Sequence, residues 1–215
     1  MKWLVLFVLL NSKAIGQTIS PSLPKEIEKS GRYLFYLHGQ VVTELGNNAI
    51  NQSVPEWGPY EYLNILDSLQ KRGFHVISEI RQKGIENSVY VNKVSGQIDS
   101  LLAAGVRARN IVVVGASAGW DIALHVSSKL KNKALNFVMM GGCWPETYRD
   151  YLNIELYGRF LSIIEKSDPH GTCYQIFEER KYLKHHKEII LNTGLSHGFI
   201  YKGYPAWIDP IVNWL

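Results

Sequence analysis

The sequence of 215 residues contains only two cysteines, Cys143 and Cys173, and no motif for a metal or a nucleotide. The cysteines stand too far apart for a paired-cysteine zinc motif, and neither an HExxH motif nor a carboxylate-rich calcium loop is present. A phosphate-binding loop and a dinucleotide fingerprint are also missing, because the glycine-rich segment 115–119 continues as Trp-Asp without a further glycine. We therefore expect no metal and no cofactor.

The sequence also has little excess charge of one sign. Its 23 lysine and arginine residues and 19 acidic residues give a formal net charge of +4, which favours no polyanionic partner. The densest basic stretch, 181–187, falls on a predicted helix and its exit. No nucleic-acid motif accompanies it, so we expect a solvated surface there and no nucleic-acid partner.

Apolar runs long enough to span a bilayer are missing, and the one prominent run lies at the N-terminus. Lys2 precedes an unbroken apolar run over 3–10, and 14–16 is a small-x-small cleavage pattern. This arrangement predicts a signal peptide over 1–16, with a buried N-terminal strand as the alternative. We expect a mature chain from about Gln17 that is exported, periplasmic or secreted, without a membrane or lipid anchor after cleavage.

The remainder of the chain is predicted to form a polar arm over 17–31 and one domain over 32–215. Predicted strands occupy 32–37, 74–80, 111–115, 136–141, 159–165 and 188–192. Predicted helices occupy about 60–72, 90–104, 118–131, 173–184 and 205–215. Such alternation is typical of an α/β fold, here a mostly parallel sheet of about six strands with helices on both faces.

A catalytic serine is indicated at the end of one β-branched strand. The run Ile-Val-Val-Val leads into Gly115-x-Ser117-x-Gly119 and then into a helix-compatible stretch. This is the layout of a nucleophile elbow, in which a sharp turn presents the serine hydroxyl and leaves no room for Cβ atoms at the glycines. The pattern is short, and without catalytic partners it would be an ordinary glycine-rich turn.

Such partners follow in the order acid and then histidine, each just after a predicted strand, at the sheet edge where α/β proteins place their sites. Asp168 is the proposed acid and His197 the proposed base that takes the proton of Ser117. Glu165 is the second choice for the acid, and Asp150 is the third.

Six other histidines compete with His197. His38 ends a strand in a His-Gly turn and is expected to orient an oxyanion loop, while His170 stands beside the proposed acid. The other four are expected to be structural or to lie on a charged surface: His75, His125, His185 and His186. The backbone N–H groups of Gln40 and Ala118 are the predicted oxyanion donors.

Four segments carry a resemblance to the α/β-hydrolase superfamily: 33–39, 112–119, 160–168 and 195–198. The resemblance covers the chain from about residue 32 onward, and 59–81 and 90–115 also look like small bacterial members. It implies the α/β-hydrolase fold and an esterase-like acyl-transfer hydrolase that forms an acyl-serine. Few residues separate Gly142 from Arg159, where such proteins carry a lid, so we expect no cap domain.

The expected substrate is a small-molecule or otherwise accessible carboxylic ester. Amide or peptide cleavage by the same triad is one alternative, and a non-catalytic binding protein on this fold is another. Trp57, Trp120 and Trp144 fall in loops or turns at the predicted site edge and are candidates for substrate contact.

A disulfide between Cys143 and Cys173 is predicted, because an exported chain meets an oxidising compartment and both cysteines follow neighbouring strands. Two free thiols are the alternative.

Overall fold

The computed structural model describes residues 17–51, 56–144, 148–172, 174–178, 180 and 182–215. The predicted signal peptide, 1–16, and Cys173 lie outside these residues. The strands are β1 (Ile19–Ser20), β2 (Arg32–Leu37), β3 (Phe74–Ile77), β4 (Ile111–Ala116), β5 (Asn136–Met140), β6 (Gly158–Glu165) and β7 (Leu183–Leu191). The helices are α1 (Gln40–Leu45), α2 (Tyr62–Lys71), α3 (Asn87–Ala103), α4 (Gly119–Leu130), α5 (Tyr174–Phe177) and α6 (Pro205–Trp214).

The strands form one seven-stranded sheet in the order β1-β3-β2-β4-β5-β6-β7. Every pair of neighbouring strands is parallel. Because parallel strands end at the same edge, the loops after β2, β4, β6 and β7 can meet there. The predicted α/β class and the mostly parallel sheet are confirmed.

Helices cover both faces of the sheet, and the alternation of side chains along each strand explains how. In β2, Tyr33 and Phe35 pack into the core beneath α3 and α4, whereas Leu34 and Tyr36 pack into the core beneath α2 and α6. A strand covered on both faces is apolar at every position. β4 meets this condition, since all six of its residues are buried.

No cap domain is evident between β5 and β6 in the part of the chain that the structure describes. Its only regular element there is the short 3-10 turn Tyr148–Tyr151. Among the described helices, none combines the length and the apolar character needed to cross a membrane.

Two details of the sequence prediction need correction at the sheet edges. The sheet has seven strands rather than about six, because Ile19–Ser20 of the predicted arm pairs with β3. The predicted helix 173–184 is wrong: α5 covers only Tyr174–Phe177, and the chain from Leu183 pairs with β6. Pairing along the full length of β6 outweighs the weak helix propensity of this Lys- and His-rich segment.

Candidate active site

Ser117 stands on a sharp turn between β4 and α4. Its φ is +49°, in the left-handed region that a non-glycine residue rarely adopts, and its N–H donates to the Met140 carbonyl over 2.8 Å. The flanking glycines make the turn possible, because a Cβ on Gly119 would lie 2.0 Å from the Leu37 carbonyl oxygen and one on Gly115 would lie 2.8 Å from the Trp120 Cα. The local structure is therefore that of a nucleophile elbow.

His197 lies beside Ser117, in the 3-10 turn Ser196–Ile200 that follows β7. Its Nε2 is 3.2 Å from the Ser117 Oγ, and its Nδ1 is 2.9 Å from the Asp168 Oδ2. An ionised carboxylate only accepts hydrogen bonds, so Nδ1 carries the imidazole proton and Nε2 is left as an acceptor for the serine hydroxyl. All three side chains are buried. The structure thus brings the three predicted catalytic residues into one hydrogen-bonded chain.

Asp168 is held from a second direction by His170. The His170 Nδ1 lies 2.5 Å from the Asp168 Oδ1, and the His170 backbone N–H donates to the same oxygen over 3.1 Å. Burial raises the pKa of Asp168, but hydrogen bonds and charge from His197, together with the His170 bonds, outweigh it and hold the pKa below its ordinary value. The carboxylate is therefore ionised at neutral pH.

Glu165, the second choice for the acid, has a different position. Its Oε2 accepts from the backbone N–H and the hydroxyl of Thr193, and its Oε1 accepts from the hydroxyl of Ser167. Burial raises the pKa of Glu165, but these hydrogen bonds and one from the Gly194 N–H hold it below the ordinary value. Glu165 joins the loop that carries Asp168 to the loop that carries His197. Asp150, the third choice, lies in the 3-10 turn Tyr148–Tyr151.

The predicted oxyanion donors lie at the starts of two helices. Gln40 is the first residue of α1, and Ala118 immediately precedes α4. Backbone N–H groups at such positions have no partner within the helix and can point at a developing negative charge. The Gln40 side chain turns to Glu44 instead, so only its backbone suits the predicted role. A Cβ on Gly39 would lie 3.3 Å from the Ser117 Cβ, which shows how closely this loop approaches the serine.

The loop after β2 is held by two buried side chains, Arg81 and His38. The Arg81 Nη2 donates to the His38 carbonyl over 2.6 Å, and the Arg81 backbone N–H donates to the His38 Nε2 over 3.0 Å. Since Nε2 accepts, the His38 Nδ1 carries the proton and donates to the Gly39 carbonyl over 2.9 Å. Burial and then the Arg81 charge lower the pKa of His38 to about 3. His38 is therefore neutral, and it lies in the loop that leads to Gln40, one of the two predicted oxyanion donors.

Two cavities meet at Ser117. The first, about 330 Å³, is lined largely by aromatic rings and by His170 and His197; its aromatic residues are Trp57, Tyr60, Trp144 and Tyr201. The second, about 410 Å³, is lined among the described residues by Asn87, Ser117, Ala118, Trp120, Asp121, Gly142, Trp144 and Tyr151.

The three tryptophans that were predicted to contact substrate differ in how much of each side chain faces these cavities. Trp57 packs on His197 with ring centroids 5.0 Å apart, and Trp144 packs on His170 at 4.7 Å. Trp120 is only 2% exposed and meets Tyr151 edge-on, so it is mainly a core residue that forms one wall of the second cavity.

Three contributors to the site were not predicted from the sequence: Tyr60, Arg81 and His170. Tyr60 lines the first cavity, and its hydroxyl accepts from the Gly39 N–H over 3.5 Å. His170 was noted only as a neighbour of the acid, although its position two residues after Asp168 was an available signal. The contacts of all three residues are visible only in the tertiary structure.

The remaining histidines lie away from Ser117. His75 stacks on Tyr33, and His125 bonds to Asp121 within α4. His185 and His186 lie in β7, where burial lowers the pKa of His186 to about 4.

The predicted disulfide stays a prediction. Cys143 is buried just after β5, but Cys173 lies outside the described residues.

Comparisons with known proteins find similarity in architecture. No protein-family model matches the sequence, and no curated protein matches it significantly. The structure of a lipase-esterase related protein from Clostridium acetobutylicum ATCC 824 has a TM-score of 0.56 at 16% identity, over 87% of this chain and 96% of that one. A dienelactone hydrolase from Anabaena variabilis ATCC 29413 gives 0.52 at 14% identity, over 87% and 84%. From this likeness and the observed topology, the chain has the α/β-hydrolase fold.

Proposed function

We propose that this chain is a serine hydrolase that cleaves carboxylic esters through an acyl-serine intermediate. The hydrogen-bonded chain from Ser117 through His197 to Asp168, open to a cavity at its serine end, is the observation that carries the proposal. The names of the similar structures, a lipase-esterase related protein and a dienelactone hydrolase, support a hydrolase.

In the first step, the Ser117 Oγ attacks the ester carbonyl while the His197 Nε2 takes the hydroxyl proton. The imidazolium that forms is stabilised by the ionised Asp168, which lies 2.9 Å from Nδ1. The carbonyl oxygen becomes negatively charged and is met by the N–H groups of Gln40 and Ala118. Two such donors supply several kcal/mol of transition-state stabilisation, on the order of 3 kcal/mol each.

In the second step, His197 returns its proton to the leaving alcohol, and a water molecule then attacks the acyl-serine by the same route. The leaving group must therefore lie on the side of His197, in the first cavity. The aromatic rings of Trp57, Tyr60 and Tyr201 suit an aryl or other apolar alcohol. The acyl group then takes the second cavity, which Ser117 lines and His197 does not.

A fluorophosphonate probe tests the nucleophile. The full chain should become labelled at Ser117, and Ser117→Ala should remain unlabelled while keeping its circular dichroism spectrum. An unlabelled, folded wild-type protein would contradict the proposal.

A panel of matched phenyl and alkyl esters and the corresponding anilides tests the substrate class. Phenyl esters should give the highest kcat/KM values. Faster cleavage of the anilides would identify an amidase with the same residues.

We also propose that residues 1–16 direct export and are removed. The basic residue, the apolar run and the small-x-small pattern support this. Expression of the full sequence in a bacterial host, followed by N-terminal sequencing of the exported protein, should give a start near Gln17. Retention of residues 1–16 in that fraction would contradict the proposal.

A further inference from the structure

His170 gives the candidate site a set of metal-ligating atoms that a serine–histidine–acid arrangement does not itself require. One nitrogen of His170, one nitrogen of His197 and a carboxylate oxygen of Asp168 all lie within 4.8 Å of one another. Asp168 and His197 are buried, and His170 is half-buried at the wall of the first cavity. No other histidine lies in such a set in the described part of the chain.

We propose that Asp168, His170 and His197 form a binding site for Zn²⁺, and that zinc bound there reversibly inhibits the hydrolase. Two imidazole nitrogens and one carboxylate oxygen are a ligand set that zinc takes, with a fourth position left for water. That position suits the first cavity, which both histidines line.

The three candidate ligand atoms already lie close together, all within 4.8 Å of one another. The Nδ1 atoms now lie 2.5 Å and 2.9 Å from the Asp168 oxygens, because a proton occupies each gap. A tetrahedral zinc site with bonds of about 2.0–2.2 Å places its ligand atoms roughly 3.3 Å apart. Zinc binding therefore replaces both N–H···O hydrogen bonds with metal–ligand bonds, and the loop after β6 and the 3-10 turn that carries His197 must readjust to this spacing.

Zinc binding would change the tautomer of His197, and this change explains the inhibition. With zinc on Nδ1, the Nδ1 proton is released and Nε2 takes up a proton from solvent, so each imidazole stays neutral and no net proton is lost. Nε2 then donates, and it can no longer accept the proton of the Ser117 hydroxyl. The base is lost, while Ser117 and the loop that carries Gln40 remain in place.

A structural role for His170 alone predicts a different result. If His170 only holds Asp168 in position, its replacement slows hydrolysis but has no bearing on zinc. Binding of the metal must therefore be measured separately from activity, in the full chain.

The experiment is a titration of Zn²⁺ against a chromophoric zinc indicator in the presence of the protein. Wild type and Ser117→Ala should each bind one zinc ion with the same affinity, since Ser117 supplies no ligand. His170→Gln and His170→Asn should bind at least about tenfold more weakly. His185→Gln, which removes an exposed histidine of β7, is the matched control and should bind as wild type does.

Hydrolysis provides the second readout. Zinc should inhibit the wild type at the concentrations at which it binds, a chelator should restore the rate, and His170→Gln should need correspondingly more zinc. The proposal is overturned if wild type binds no zinc, or if both His170 variants, checked for folding by circular dichroism, bind it as tightly as wild type. Because Ser117→Ala is used for binding, failure of the proposed hydrolase activity would not affect this result.

Discussion

The two halves of the candidate site are supported by buried charges of opposite sign. We call them the negative half, which contains Asp168 and Glu165, and the positive half, which contains Arg81. On the side of His197, the ionised carboxylates of Asp168 and Glu165 accept hydrogen bonds from His197 and Thr193. On the side of the predicted oxyanion donors, the Arg81 guanidinium holds the loop of His38 and lines a cavity of about 150 Å³ with Gln40 and Ala118. Transfer of the serine proton creates a positive imidazolium beside the carboxylates and a negative oxygen on the side of the arginine. The difference between the halves therefore matches the charge separation that the proposed reaction requires.

The strongest test of the negative half is Asp168→Asn. We expect kcat to fall by about 10⁴-fold, because an amide in place of the carboxylate favours the wrong His197 tautomer. The variant should fold, since the amide is isosteric. Steady-state kinetics with a phenyl ester, beside denaturant unfolding, measure both effects, and a smaller loss than in Glu165→Gln would move the catalytic acid to Glu165.

The corresponding test of the positive half is Arg81→Met. We expect kcat to fall by about 100-fold with little change in KM, since the loop that carries Gln40 loses the bond to the His38 carbonyl. Within the described residues no carboxylate pairs with Arg81, and the nearby Glu44 and Glu79 pair with lysines. Removal of Arg81 therefore leaves no carboxylate without its partner, and the variant should fold. A kcat within twofold of wild type would show that the loop holds its position without the arginine.

Glu165→Gln tests whether Glu165 stabilises the loops of the negative half without taking part in the reaction. Its amide N–H groups would meet the N–H donors of Thr193 and Gly194, so the free energy of unfolding should fall by about 2 kcal/mol at pH 7, with kcat changed less than about threefold. The pKa of Glu165 is lowered in the fold, so its stabilisation is present above the ordinary pKa and is lost as the pH falls through the lower, folded value. Urea unfolding of wild type and Glu165→Gln should therefore show a smaller difference in the free energy of unfolding in acid than at pH 7.

His38 makes the positive half sensitive to acid. Its pKa is about 3 in the fold against 6.5 ordinarily, so between these values the unfolded chain binds a proton that the folded chain does not. The free energy of unfolding should therefore decrease by about 1.4 kcal/mol per pH unit as the pH falls below 6.5. His38→Gln should show a pH dependence that is shallower by this amount in urea unfolding from pH 7 to pH 4. Parallel curves for the two proteins would contradict the assignment.

The sequence was sufficient for the centre of the sheet and insufficient for its edges. β4 is buried on both faces and reads as an uninterrupted β-branched run, which made both the strand and the elbow recognisable. β7 pairs with β6 on one side only. Its second half agrees with the predicted strand 188–192, but its Lys- and His-rich start was assigned to the end of a predicted helix. The two residues of β1 are a strand only because β3 lies beside them.

The same distinction holds within the candidate site. Ser117, Asp168 and His197 each follow a strand, and the order of strand ends predicted that they would meet. Arg81 acts through a contact with a distant backbone carbonyl, which no local pattern records. For His170 the local signal is its position two residues after Asp168, but the contact between the two side chains is seen only in the structure. Side chains that support a site from other loops therefore need the structure to be found.

Because the φ of Ser117 is positive, stability and reactivity favour different residues at this position. A non-glycine residue in the left-handed region costs roughly 1–2 kcal/mol, and glycine is free of this penalty. Ser117→Gly should therefore abolish hydrolysis yet melt at a temperature no lower than wild type, which differential scanning calorimetry can establish. If the variant instead melts earlier, the elbow carries no strain for glycine to release. At this one position, the residue that best preserves the fold is different from the residue that gives the fold its chemistry.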